Sequence, residues 1–132
     1  MAESNSIIEL NHFMPKTLED DLESVDKILD SKRLADFSTA LELKTALGKE
    51  YIRYALANTL LFDRKQFDYG PGNIAKFGVV GCVIRASDKF ERIANLFKAN
   101  RKKAANEALI DSYRDIHVYM NIIQMVEKGV WR

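Results

Sequence analysis

Apolar residues in this chain return every three or four positions and nowhere at every second one. That period is the turn of an α-helix, and it argues against a half-buried strand anywhere. The spacing predicts a first helix over about Leu18–Ser31, with Leu18, Leu22, Val25 and Leu29 inward. Thr17 with Asp20 matches a helix-start signal, a short acid standing at the fourth position. A second pattern begins near Arg33 with Leu34, Phe37 and Leu41. Gly48 interrupts it, as a C-terminal cap or as a tolerated weakness inside a helix. From Lys49 the pattern resumes to about Gln66. Gly70-Pro71-Gly72 must stop that helix, because proline cannot continue it. Gly78 and Gly81 allow a close helix contact or leave the stretch from Lys76 to Gly81 irregular. Beyond them Val83, Ala86, Phe90, Ile93, Leu96 and Phe97 form one expected inward set. Leu109, Tyr113, Ile116, Met120 and Ile123 form the next, with Asn106 as N-cap and an end near Lys128-Gly129. The expectation is an all-α fold, a four- to five-helix bundle in one domain over 1–132. Residues 1–15, with Ile7, Ile8 and Phe13, read as an N-terminal arm suited to an oligomer contact.

Charge narrows the partners. The 20 basic and 19 acidic residues leave a net charge of +1, whereas a general nucleic-acid binder needs a basic excess. No direct nucleic-acid binding is therefore expected, although a local basic pocket for a small anion remains open. The single cysteine, Cys82, excludes an intramolecular disulfide and suits a reducing compartment. Its apolar surroundings, Phe77 to Ile84, read it as a small buried side chain. The start of the chain lacks signal-peptide patterning, and no apolar run reaches bilayer length. A cytoplasmic protein with no membrane partner is expected.

The chemistry concentrates between Asp63 and Asp115. Arg85, Asp88, Lys89 and Arg92 follow the i, i+3, i+4, i+7 rule and share one helix side. Glu107, Asp111 and Asp115 drift only about 40° per step and form one stripe. Magnesium is held by carboxylates, often together with substrate phosphates. Glu107 and Asp111 stand one turn apart and can share an ion, with Asp88 and Glu91 completing the cage from the facing helix. Asp115 lies about 12 Å along the axis from Glu107, so a second metal or a buried tie to an arginine or lysine suits it better. Arg85, Lys89 and Arg92 can neutralise phosphates, the arginines offering paired donors. Lys65 flanks the glycine turn, Tyr69 can stack on a base, and Asn73 can hydrogen-bond one. The plainer alternative is that these charges form solvated surface pairs of little energetic worth. His12 and His117 lack partners at zinc-ligand spacing.

Taken in order, Asp68-Tyr69-Gly70 with Gly72-Asn73, then Gly81, then Arg85-x-x-Asp88-Lys89-x-x-Arg92 with Asn95-Leu96, then Glu107-x-x-x-Asp111-x-x-x-Asp115-x-x-x-Tyr119, resemble the nucleotide modification associated domain family of phage proteins. That family is similar to the all-α nucleoside triphosphate pyrophosphohydrolases, the MazG and dimeric dUTPase group. The resemblance covers about residues 63–132. It implies the pyrophosphatase type of helical bundle, Mg2+, and cleavage of a nucleoside triphosphate to monophosphate and pyrophosphate. It also implies a homo-oligomer, a dimer or tetramer, with sites between packed helices. By position Asp88, Glu107 and Asp111 become catalytic metal ligands, and Arg85, Lys89 and Arg92 become the basic residues that face the phosphates; Glu91 as a further ligand, and Lys65, Tyr69 and Asn73 as substrate contacts, rest on the reading of the residues alone. The related hydrolases carry Glu-x-x-Glu followed by Glu-x-x-Asp. Here the pairs are Asp88-x-x-Glu91 and Glu107-x-x-x-Asp111, the second one residue longer. That difference motivates an alternative, a non-catalytic protein of the same fold that sequesters a nucleotide. A helical interaction protein with no small ligand is the third reading.

Overall fold

The computed structural model describes residues 16–99 and 108–132, which hold five helices and no strand. Helix α1 spans Leu18–Ile28, α2 Ser31–Ala40, α3 Ala46–Tyr69, α4 Gly72–Lys98 and α5 Leu109–Glu127. The first helix begins as its sequence requires. The Asp20 N–H donates to Thr17 Oγ1 at 3.1 Å, and the Thr17 N–H donates to Asp20 Oδ2 at 2.9 Å. It ends at Ile28 rather than Ser31 because Asp30 caps the next helix, accepting from the Arg33 N–H at 2.9 Å.

The break expected at Gly48 falls earlier. Helix α2 closes in a Schellman motif: the Leu43 N–H donates to Ser38 O and the Glu42 N–H to Thr39 O, with Glu42 at φ 56°. Gly48 instead lies in the first turn of α3, where its N–H donates to Thr45 Oγ1 at 3.0 Å. Gly70 ends α3 at φ 69°, as its place before Pro71 anticipates.

Helix α4 is broken at Gly78, whose φ of 63° and ψ of −154° belong to a region that only glycine occupies freely. The break draws the chain tight. A Cβ on Gly81 would lie 2.5 Å from Phe77 Cβ. Gly78→Ala is therefore expected to cost about 1–3 kcal/mol of unfolding free energy, read from urea denaturation.

Two apolar clusters hold the helices. Leu18 and Val25 of α1 pack on Ala57 of α3, with Leu22, Leu29 and Leu60 at the edge. Cys82 of α4 packs with Val118 and Ile122 of α5, and Phe62 and Ile74 close over them. Burial raises the Cys82 thiol pKa, against the opposing pull of Arg85, so the thiol stays protonated. A second Schellman motif at Gly129 (φ 73°) turns the C-terminal segment back. Trp131 then donates its indole N–H to Pro71 O at 3.0 Å and meets Phe62 edge-on at 5.9 Å. No helix among the described residues is long and apolar enough to cross a membrane.

The helix faces match the expected ones in part: Ala86, Ile93 and Leu96 of α4 are buried as the spacing predicts, and other members of the expected sets are not. Phe90 and Phe97 are 56% and 63% exposed, Tyr113 and Met120 are exposed too, and Tyr119 is half-buried. Helix α5 turns Ser112, Arg114, Asp115, Val118 and Ile122 inward. Helices α4 and α5 meet through the apolar Cys82, Val118 and Ile122 and through the polar pairs Lys89–Asp115 and Arg92–Ser112, while Phe90, Phe97, Tyr113 and Met120 stay outside.

Candidate functional site

A cavity of about 290 Å³ opens where the end of α3, the start of α4 and the middle of α5 converge. Its apolar wall is Phe62, Val118 and Ile122; Gln66, Tyr69 and Asn73 add polar groups. The glycine turn contributes to this geometry, because it joins α3 to α4 and brings Tyr69, Gly70 and Asn73 into one lining. Trp131 ties the turn, at Pro71, to Phe62 of α3.

The charged side chains lining the cavity are Lys65, Arg85 and Asp115. Asp115 is buried, and each of its oxygens meets an ammonium group. Lys65 Nζ lies 2.7 Å from Oδ1 and Lys89 Nζ 3.1 Å from Oδ2. This is the buried tie to a basic side chain that its place on the stripe suggested. One turn away, Arg92 Nη1 donates to Ser112 Oγ at 2.7 Å. Arg85 is half-buried and has no hydrogen bond or ion pair among the described residues. The lining is thus net positive, and no group among the described residues takes up the guanidinium donors of Arg85.

Four of the expected substrate contacts, Lys65, Tyr69, Asn73 and Arg85, come together in this cavity. Lys89 reaches the same carboxylate from behind, and Arg92 sits farther along the α4–α5 seam. The expected metal ligands do not gather there. Asp88 and Glu91 are exposed, Asp111 is half-buried, and Glu107 lies outside the described residues, as do Asn106 and the arm over 1–15. Among the described residues no three His, Cys, Asp or Glu side chains converge as a metal site. Asp115, the best-placed acid, already holds two ammonium groups. The described donors alone do not fit a magnesium cage. His117 lines a second cavity of about 270 Å³ with Asn58 and Asn121, across the shared wall of Phe62, Val118 and Ile122.

No family model, curated protein or solved structure matches this chain.

One group of buried charges escaped the sequence reading. Asp21 of α1 accepts from Arg64 at 2.7 and 2.9 Å and from Arg114 Nη2 at 2.7 Å. Arg114 also donates to Ala57 O at 2.9 Å and to Asn58 Oδ1 at 2.8 Å. Arg64 and Arg114 each precede a cavity residue, Lys65 and Asp115. The network therefore fixes the register in which those two side chains meet. Its only sequence signal was an arginine set among the apolar residues of the last helix.

Proposed function

We propose that this chain binds a nucleotide or a closely related phosphate compound in the cavity between α3, α4 and α5. The observation that carries the reading is Arg85, an arginine without an ion pair among the described residues, on the wall of a cavity whose other cation is Lys65. Guanidinium and ammonium groups facing a partly desolvated space favour a phosphate over a neutral ligand. Tyr69 offers a ring for a base, Asn73 and Gln66 offer amides for its edge, and Phe62 with Ile122 supplies apolar contact. Such a mix of apolar walls and a few converging polar groups is typical of small-molecule sites. Sequestration of the nucleotide, rather than its turnover, is the reading that the described carboxylates support.

Magnesium-dependent hydrolysis to monophosphate and pyrophosphate is the second reading. It is favoured by Asp111, half-buried on α5 and on the stripe that Glu107 extends in the sequence. In either case the protein acts in the cytoplasm as a homo-oligomer within phage nucleotide metabolism.

Thermal shift against a nucleotide panel, with and without Mg2+, tests the proposal, since a ligand specific to the folded state raises its stability. Arg85→Ala is expected to weaken binding about tenfold or more, the worth of a charge-assisted hydrogen bond, without lowering the melting temperature of the free protein. Unchanged affinity in that variant overturns the site. Ligand recovered intact after incubation supports binding alone; pyrophosphate released only with Mg2+ supports the hydrolase.

A further inference from the structure

The seam between α3 and α5 holds the second cavity, of about 270 Å³, and helical spacing explains its lining. Ala55, Asn58, Thr59 and Phe62 stand at i, i+3, i+4 and i+7 on α3. Val118, Asn121, Ile122 and Met125 repeat that spacing on α5, with His117 beside them. Helix stripes that face each other are ordinarily apolar, yet each of these carries polar side chains. Val118 and Ile122 are buried and form the floor, while Thr59, Asn121 and Met125 are exposed at the mouth.

Those polar groups have unused capacity. Arg114 Nε donates to Asn58 Oδ1 at 2.8 Å, which fixes the amide and leaves its NH2 group without a partner among the described residues. The Thr59 hydroxyl donates to Ala55 O at 2.9 Å and can still accept. The His117 ring has no hydrogen bond or ion pair among the described residues, and a neutral imidazole offers one donor and one acceptor. No lining residue is an Asp, Glu, Lys or Arg. A charged ligand would lose hydration here without gaining a counter-charge, so the cavity suits a neutral one.

We infer that this cavity is a second small-molecule site, for an uncharged planar heterocycle whose edge carries a carbonyl beside an N–H. The ring lies among Phe62, Val118, Ile122 and Met125, whose aromatic, branched and thioether surfaces accept a flat apolar face. Asn58 donates to the carbonyl, and Thr59 or His117 accepts from the N–H. The volume is near the lower end for ligand sites, which run from about 300 Å³ upward, so the ligand is one or two rings in size. The inference goes beyond the phosphate cavity and stands without it, because the two share Phe62, Val118 and Ile122 but no polar residue.

Methyl NMR of the full chain, read at Met125, tests this with 2-pyridone, benzene and inorganic phosphate as probes. Saturable shifts are expected from 2-pyridone at millimolar concentration, the order for a ligand of one ring. Benzene, equal in size without the polar edge, is expected to bind about three- to tenfold more weakly, the worth of a hydrogen bond. Phosphate is expected to leave Met125 unmoved. His117→Leu and Thr59→Val should each weaken 2-pyridone by a similar factor, the latter an exposed position where only the hydroxyl is lost, which keeps the test valid if the former does not fold. Arg85→Ala, in the other cavity, should not weaken it. No saturable shift at tens of millimolar overturns the proposal, as does benzene binding equally well or indifference to both substitutions. Loss of 2-pyridone binding in Arg85→Ala would place the ligand in the phosphate cavity and also overturn it.

Discussion

Asp21→Ala is expected to destabilise the fold by about 3–5 kcal/mol, the usual consequence of removing one member of a buried ion pair and leaving the other behind. The stranded group is Arg114, 4% exposed, whose remaining partners are the neutral Asn58 side chain and the Ala57 carbonyl. Arg64 reaches solvent more easily, its side chain being 37% exposed. The penalty therefore falls mainly on Arg114. For a chain of this size the loss corresponds to a fall in melting temperature of roughly 10–20 °C, with an unchanged denaturant slope if the unfolded state is unaffected. The double variant Asp21→Leu/Arg114→Met is expected to recover part of the loss, because a pair of apolar groups leaves no buried charge unpaired. A double variant as unstable as the two singles combined would show that packing, not charge, is what Asp21 supplies.

The same network gives stability a definite pH dependence. Burial alone would raise the Asp21 pKa, but the hydrogen bonds and charges of Arg64 and Arg114 together overcome it and hold the carboxyl below its ordinary value of 3.8. A depressed folded-state value means that the unfolded chain takes up the proton first as acid is added. The contribution is present at pH values above 3.8 and disappears as pH falls through the lower folded-state value. The stability gap between wild type and Asp21→Ala should accordingly shrink only in that acid range. Asp26 is also lowered, by its hydrogen bonds from Arg53, yet that pair is solvent-facing and contributes little.

Local signals and long-range signals differed in how far they could be read. Thr17 with Asp20, and Gly70 before Pro71, marked helix ends because caps depend on residues three or four apart. The substrate side of the cavity was legible for a similar reason. Lys65, Tyr69 and Asn73 flank one turn, which brings them together whatever the rest of the chain does. Periodicity also found the apolar stripes of α4 and α5. It could not say which stripe faces inward, since a helix with two usable sides is decided by its neighbours. Here Cys82, Ala86, Ile93 and Leu96 pack inward, while Phe90 and Phe97 remain exposed. Asp21 gave no warning at all. It sits in the run Glu19-Asp20-Asp21, which reads as acids favoured by the helix dipole, and its partners are 43 and 93 residues away.

The charge pattern at the cavity leads to a result that separates binding from mere structure. Asp115→Asn leaves Lys65 and Lys89 sharing a neutral amide that can satisfy only one ammonium group well. A loss of about 1–3 kcal/mol is expected from the charge-assisted contacts of Asp115 that the amide does not replace, read from the urea midpoint. The variant should then respond more strongly than wild type to inorganic phosphate or a nucleotide. An anion entering the cavity supplies the negative charge that the amide lacks and no longer competes with a carboxylate for Lys65. Adding Arg85→Ala should cancel that gain, because the anion loses its paired donors. If phosphate stabilises Asp115→Asn no more than wild type, Lys65 serves only to hold Asp115, and the cavity must take a ligand of another kind.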